Sequence, residues 1–171
     1  MAKEKIRVGI VMGSDSDWPL VKSASETLNE FGIGHEVRVI SAHRTPEIAC
    51  EYAATATKRG LQVIIAAAGG AAHLGGVLAA HTMLPVIGIP VKGGAMNGMD
   101  ALLATLQMPK GIPVATVTLG SAGPANAAIL AAQILGLGDA ALRRKLAKFK
   151  KDLKKKVSKG DANVQADLAA S

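Results

Sequence analysis

Gln62-Val63-Ile64-Ile65-Ala66-Ala67-Ala68, running directly into Gly69-Gly70-Ala71-Ala72-His73-Leu74-Gly75-Gly76, decides the fold of this chain. A near-continuous apolar run of this length is the pattern of a central parallel strand covered on both faces. The small residues after it make a tight turn into a helix from about Gly75 to Thr82. The same unit recurs on either side. Upstream, His35 to Ile40 reads as a strand and ends in Ser41-Ala42-His43-Arg44-Thr45-Pro46. Thr45 is a good N-cap and Pro46 a good first residue for a helix reaching Arg59. Before that, Arg7 to Met12 reads as the first strand, and Asp17 can cap a helix with apolar positions at Leu20, Val21, Leu28 and Phe31. Downstream come strands at Val86–Val91 and Val114–Leu119, with helices over Met99–Gln107 and Ala125–Leu135.

Five strands, each followed by a helix, require right-handed crossovers and a parallel sheet. The spacing predicts an α/β fold, a three-layer α/β/α sandwich with a five-stranded parallel sheet in the flavodoxin-like order 2-1-3-4-5. The order 3-2-1-4-5 stays open at this point. After Gly138 the pattern changes: Leu142, Leu146, Phe149, Leu153 and Val157 recur at steps of three and four among Lys and Arg, the signature of an amphipathic helix. The expected organisation is an α/β nucleotide-binding catalytic domain over 1–138, an amphipathic C-terminal helix over 139–159 packing on its own or a neighbouring subunit, and a flexible tail over 160–171.

At 171 residues the chain can bury roughly 70% of its unfolded surface without staples. Its single cysteine, Cys50, excludes an intrachain disulfide and reads as a buried, inert thiol. No secretory leader and no uncharged apolar run of membrane-spanning length is visible, so a cytoplasmic protein without a membrane partner is expected. The net charge of +7 resides largely between Arg143 and Lys159; the rest is close to balanced. With aromatics at 2% there is little to stack bases, so these cations read as a solvated helix face and no nucleic-acid partner is expected.

The chemistry-bearing residues gather in the turns after the strands, at the carboxyl edge where ligands of parallel sheets bind. Gly13-Ser14-Asp15-Ser16-Asp17 offers hydroxyls and backbone N–H groups at a helix N-terminus, which suits an anion; Asp17 could instead accept from sugar hydroxyls. It is neither a dinucleotide fingerprint nor a Walker loop. His43 and Arg44 place an imidazole that titrates near neutrality beside a guanidinium that holds anions in a planar fork. Proton transfer next to a bound phosphate or carboxylate is the natural reading. His73 stands in the third turn. No Cys or carboxylate stands at ligand spacing from either histidine, so no metal is expected. Gly93–Gly98 and Gly120–Pro124 form the fourth and fifth turns. Trp18 reads as packing, and His35 and His81 as surface or strand-end residues.

Together, Gly13-Ser-x-Ser-Asp-Trp18, Ser41-Ala-His-Arg-Thr-Pro46, Ala68-Gly-Gly-Ala-Ala-His-Leu74, Asn97-Gly-x-Asp100, Gln107-Met-Pro109 with Gly111-x-Pro-Val114, and Asn126 with Leu130–Leu135 resemble the N5-carboxyaminoimidazole ribonucleotide mutases of purine biosynthesis. The resemblance spans about residues 7–136. It implies an isomerase that moves a carboxylate from the exocyclic amine of an aminoimidazole ribonucleotide to a ring carbon, by decarboxylation and recapture of carbon dioxide in a closed site. It implies no ATP, metal or organic cofactor, and a homo-octamer. By the same resemblance His43 is the catalytic proton shuttle, and Ser14, Asp17 and Arg44 bind the nucleotide. Gly13, Ser16, Ser41, Ala42, Gly69, Gly70, Ala71, His73 and Leu74 complete the expected substrate-binding set. The family usually has Gly at Ala67, Pro at Gly75 and Ser at Ala101; Gly75 loosens the loop that would cover the ring. Competing readings are direct carboxylation of the aminoimidazole ribonucleotide by carbon dioxide, a non-catalytic mononucleotide-binding module, and a basic nucleic-acid-binding protein.

Overall fold

The computed structural model describes residues 5–170. Among them, strands β1 (Val8–Met12), β2 (His35–Val39), β3 (Val63–Gly69), β4 (Val86–Val91) and β5 (Ala115–Thr116) form one sheet in the order β2-β1-β3-β4-β5. All neighbouring pairs are parallel, which is the flavodoxin-like order and excludes 3-2-1-4-5. The helices are α1 (Trp18–Phe31), α2 (Pro46–Thr55), α3 (Leu74–Ala80), α4 (Met99–Leu106), α5 (Ala122–Gly136) and α6 (Ala140–Ala169). The described residues form two compact units that divide between Ala132 and Gln133, so the last turn of α5 belongs with α6.

In the first unit β3 lies at the centre of the sheet, and Val63 to Ala67 are all buried. Alternate residues serve opposite faces. Val11, Ile64 and Ala66 join Ala49, Tyr52 and Ala53 of α2 and Leu74 and Leu78 of α3 in one cluster. On α1, Val21, Ala24, Leu28 and Phe31 are buried at helical spacing, and the helix packs on β1 and β2. Helix α4 lies so close to β4 that a Cβ at Gly88 would run into the Thr105 and Val114 side chains. Thr105, buried in that contact, turns its hydroxyl inward and donates to Ala101 O at 2.7 Å.

Several expected bounds shift. The fifth strand, expected over Val114–Leu119, pairs only at Ala115 and Thr116. Val117 donates to Gly88 O at 3.0 Å, so Pro90, two residues further along β4, faces the same edge with no N–H to offer, and the ladder stops. Helix α2 ends at Thr55, and Ala56 to Gly60 turn toward β3. The segment from Gly160, expected to be a flexible tail, is helical to Ala169. Gly160 is its weakest helix former; Val164 and Leu168 continue the apolar stripe four residues apart, and Ala, Gln and Leu around them are good helix formers. In the second unit Asp139 Oδ1 accepts from Leu142 N–H at 3.0 Å and caps α6. Arg143 Nη1 donates to the carbonyls of Gly136 and Leu137 at 2.8 and 3.1 Å, which satisfies the end of α5. Leu153, Val157 and Leu168 remain 44%, 73% and 67% exposed.

Candidate active site

The strand order decides which turns meet. β1 lies between β2 and β3, and Met12 is level with Val39 on one side and Ala67 on the other. The turns after these three strands therefore leave the sheet side by side, at the point where the chain changes direction across the sheet. They enclose a cleft of about 410 Å³. The first turn contributes Gly13, Ser14 and Asp17; the second Ser41, Ala42, His43 and Arg44; the third Gly69, His73 and Leu74, together with Ala68 and Ala72. Ser16, Gly70 and Ala71 do not line it, and the fourth and fifth turns, which follow β4 and β5, contribute nothing. Ala68 and Ala72 were not among the expected contacts. They offer only methyls and backbone, and nothing in their chemistry marks them in a sequence.

The second turn is held from within. Thr45 does not act as a side-chain N-cap for α2; its Oγ1 donates to Ser41 O and accepts from Ser41 N–H, both at 3.0 Å. Ser41 Oγ accepts from the backbone N–H of His43 at 3.4 Å and of Arg44 at 3.2 Å. Arg44 then reaches across to the first turn: its Nη2 donates to Gly13 O at 2.7 Å and its Nε to Ser41 Oγ at 3.4 Å. The guanidinium is thus fixed between the two turns, with its other donors left for an anion.

In the first turn Ser14 caps a short 3-10 turn over Asp15–Asp17 by accepting from Ser16 N–H at 3.3 Å, and Ser16 Oγ donates to Ser14 Oγ at 2.8 Å. Asp17 occupies the N-cap position of α1 without making a side-chain cap. Its half-buried carboxyl is held above the ordinary carboxylate range by desolvation, with Asp15 adding repulsion and the Ser14 N–H partly offsetting both.

His43 and His73 close the cleft on the far side. His43 Nε2 lies 2.7 Å from His73 Nδ1, and the rings meet edge to face at 86°, with centroids 4.9 Å apart. One of the two nitrogens must carry the shared proton, so the pair forms a short relay whose tautomers are coupled. Both residues are exposed and line the cleft. Among the described residues no group of three or more His, Cys, Asp or Glu side chains is placed to hold a metal ion.

An anion-ready arginine, a half-buried carboxyl and a paired imidazole at the switch point of a parallel sheet define a nucleotide-type α/β site. The chain belongs to the AIR carboxylase family, whose model matches residues 7–156. N5-carboxyaminoimidazole ribonucleotide mutase of Pyrococcus horikoshii is 56% identical over 157 residues, covering 92% of this chain and 88% of that protein. The mutase of Mycobacterium tuberculosis is 54% identical over 164 residues, 96% of this chain and 93% of the relative. Among solved structures, Treponema denticola PurE superposes with a TM-score of 0.79 at 31% identity, covering 91% of this chain and 96% of that one. A substituted form of PurE2 from the same organism gives 0.84 at 28%, covering 93% and 98%.

Proposed function

We propose that this protein interconverts N5-carboxyaminoimidazole ribonucleotide and 4-carboxy-5-aminoimidazole ribonucleotide in purine biosynthesis. The observation that carries the reading is the 54–56% identity, over about nine-tenths of the chain, to proteins named as that mutase. The cleft supplies the matching chemistry. Arg44, fixed between two turns, faces the phosphate with Ser14, and Asp17 accepts from ribose hydroxyls. His43, paired with His73, serves the reacting atoms.

The proposed reaction runs through decarboxylation. The N–carboxylate bond breaks and releases carbon dioxide; the amine nitrogen keeps the electron pair and takes the His43 proton. The electron-rich ring carbon then attacks the carbon dioxide to form the C–C bond. Neutral His43 removes the proton from that carbon, the ring regains aromaticity, and the imidazolium is restored. No atom is gained or lost, and one imidazole, alternately acid and base, serves both steps. Enclosure of the gas keeps the two halves coupled.

Further parts of the proposal concern assembly and place. The protein works as a homo-oligomer, an octamer by resemblance, in the cytoplasm. α6 with its exposed stripe is the element we assign to contact with a second copy, and its cations to solvent rather than nucleic acid. No described helix is long and apolar enough to cross a membrane. Direct carboxylation of the unsubstituted aminoimidazole ribonucleotide is kept as a second reading because the matching family carries the description AIR carboxylase. Purified protein is given either N5-carboxyaminoimidazole ribonucleotide alone, or aminoimidazole ribonucleotide with bicarbonate, without ATP or added metal. The first substrate should give the 4-carboxy product faster; a faster second reaction favours the carboxylase, and no product from either rejects both.

A further inference from the structure

The segment that carries His73 sets residues against their conformational preferences. Ala72 adopts a left-handed backbone, φ +49°, although it has a Cβ and is only 4% exposed. Left-handed backbone is ordinary for glycine and costly for alanine. Three residues later the preference is inverted: Gly75 stands in the first turn of α3, where alanine holds a helix better.

Packing does not require that glycine. A Cβ at Gly75 would lie 3.5 Å from Val114 Cγ1 and 3.9 Å from Ala66 Cβ, ordinary contact distances. Its neighbour Gly76 differs, because a Cβ there would come within 2.8 Å of Met108 Cε. Helix α3 has seven residues, and its N-cap, His73, makes no side-chain cap. The His73 ring is instead engaged by His43 at 2.7 Å, while its carbonyl accepts from Val77 N–H at 3.0 Å. The turn that seats His73 is thus weakened at two points.

We propose that Gly75, with the left-handed Ala72, is a positioning residue that keeps the His73 segment easy to displace from His43, so that ligand enters and leaves the cleft through local loosening of residues 72–76. The inference rests on the mutase reading for its kinetics and on the backbone for its physics. Sites of local opening are drawn from weakly held segments, and release steps commonly limit turnover. A methyl at position 75 reduces the freedom of the open segment and favours the seated state.

The test compares wild type, Gly75→Ala and, as a helix-stabilising control in α6, Gly160→Ala, whose added Cβ would meet nothing within 4 Å. Amide exchange of residues 72–77, read by mass spectrometry, should slow about two- to fivefold in Gly75→Ala, with Tm higher by roughly 2–4 °C. Its kcat and kcat/KM should fall by a similar factor, while Gly160→Ala leaves the exchange of residues 72–77 at its wild-type rate. Slower exchange with kcat unchanged overturns the inference. So does a Gly75→Ala protein that folds poorly or loses stability and activity together, since that would make the glycine a packing requirement. Slower exchange in Gly75→Ala beside a wild-type protein with no mutase turnover rejects the functional reading instead; binding rates of the 4-carboxy ribonucleotide, slowed in Gly75→Ala or not, then decide the inference.

Discussion

Arg44 has one donor on the Gly13 carbonyl and another on Ser41 Oγ, so its removal disconnects two turns as well as deleting a charge. Ser14 contributes one neutral hydroxyl. Arg44→Ala should therefore weaken ribonucleotide binding by tenfold or more and Ser14→Ala by less than about fivefold, measured by titration calorimetry. Asp17 gives a prediction of opposite sign for stability and function. Burial raises its folded pKa above the unfolded value of 3.8, so ionisation costs the folded state more than the unfolded one. Its contribution is most favourable below the unfolded pKa and declines as pH rises through the folded pKa. Asp17→Asn should raise Tm at pH 7, with the gain vanishing toward pH 3, and should weaken binding of the ribonucleotide. A thermal-melt series across pH checks the first part. At this scale the sequence was most legible where chemistry labels a residue: His43, Arg44 and His73 stand out by type. Their 2.7 Å pairing, and the use of Arg44 as a tie between turns, depend on how adjacent strands bring the turns together.

Element by element, the alternation of apolar runs and helical stripes is enough to predict five strands in parallel, while the choice between the orders 2-1-3-4-5 and 3-2-1-4-5 needs the strand pairs themselves. The bounds were less legible, because they depend on neighbours. Pro90 cuts short β5 through the ladder, and only the register shows that it faces that edge. Likewise, each of the five strands runs into a turn that could serve a ligand, but placing β1 between β2 and β3 admits only the first three turns to the cleft. The α4–β4 contact supplies a test of packing. Gly88→Ala forces a methyl against Thr105 and Val114, and overpacking of this kind should cost about 1–3 kcal/mol in urea unfolding. A variant as stable as wild type would show that α4 is free to shift.

For the whole molecule, the net charge of +7 and the long C-terminal helix belong together. The extension past Gly160 escaped the sequence reading because one glycine looks like a stop, whereas its cost of about 1 kcal/mol is small for a helix that runs nine residues further, to Ala169. Exposed Leu153, Val157 and Leu168 lie on one stripe of that helix. Each large apolar side chain fully covered on assembly would contribute roughly 1.5–3 kcal/mol. Truncation after Gly138 should therefore shift the protein to smaller species in light scattering and lower its activity with them. An intact, fully active oligomer without α6 would remove that helix from assembly and return its cations to question as a polyanion surface.

The central claim is that His43 carries the proton in an internal carboxylate transfer. It is tested most directly by comparing wild type and His43→Asn on N5-carboxyaminoimidazole ribonucleotide, without ATP or added metal, with binding titrated on the same samples. Wild type should form the 4-carboxy isomer. His43→Asn should bind the ribonucleotide within about threefold of wild type while kcat falls by roughly 10²–10⁴, the range of a lost general acid–base group. Turnover of His43→Asn within tenfold of wild type would contradict the account.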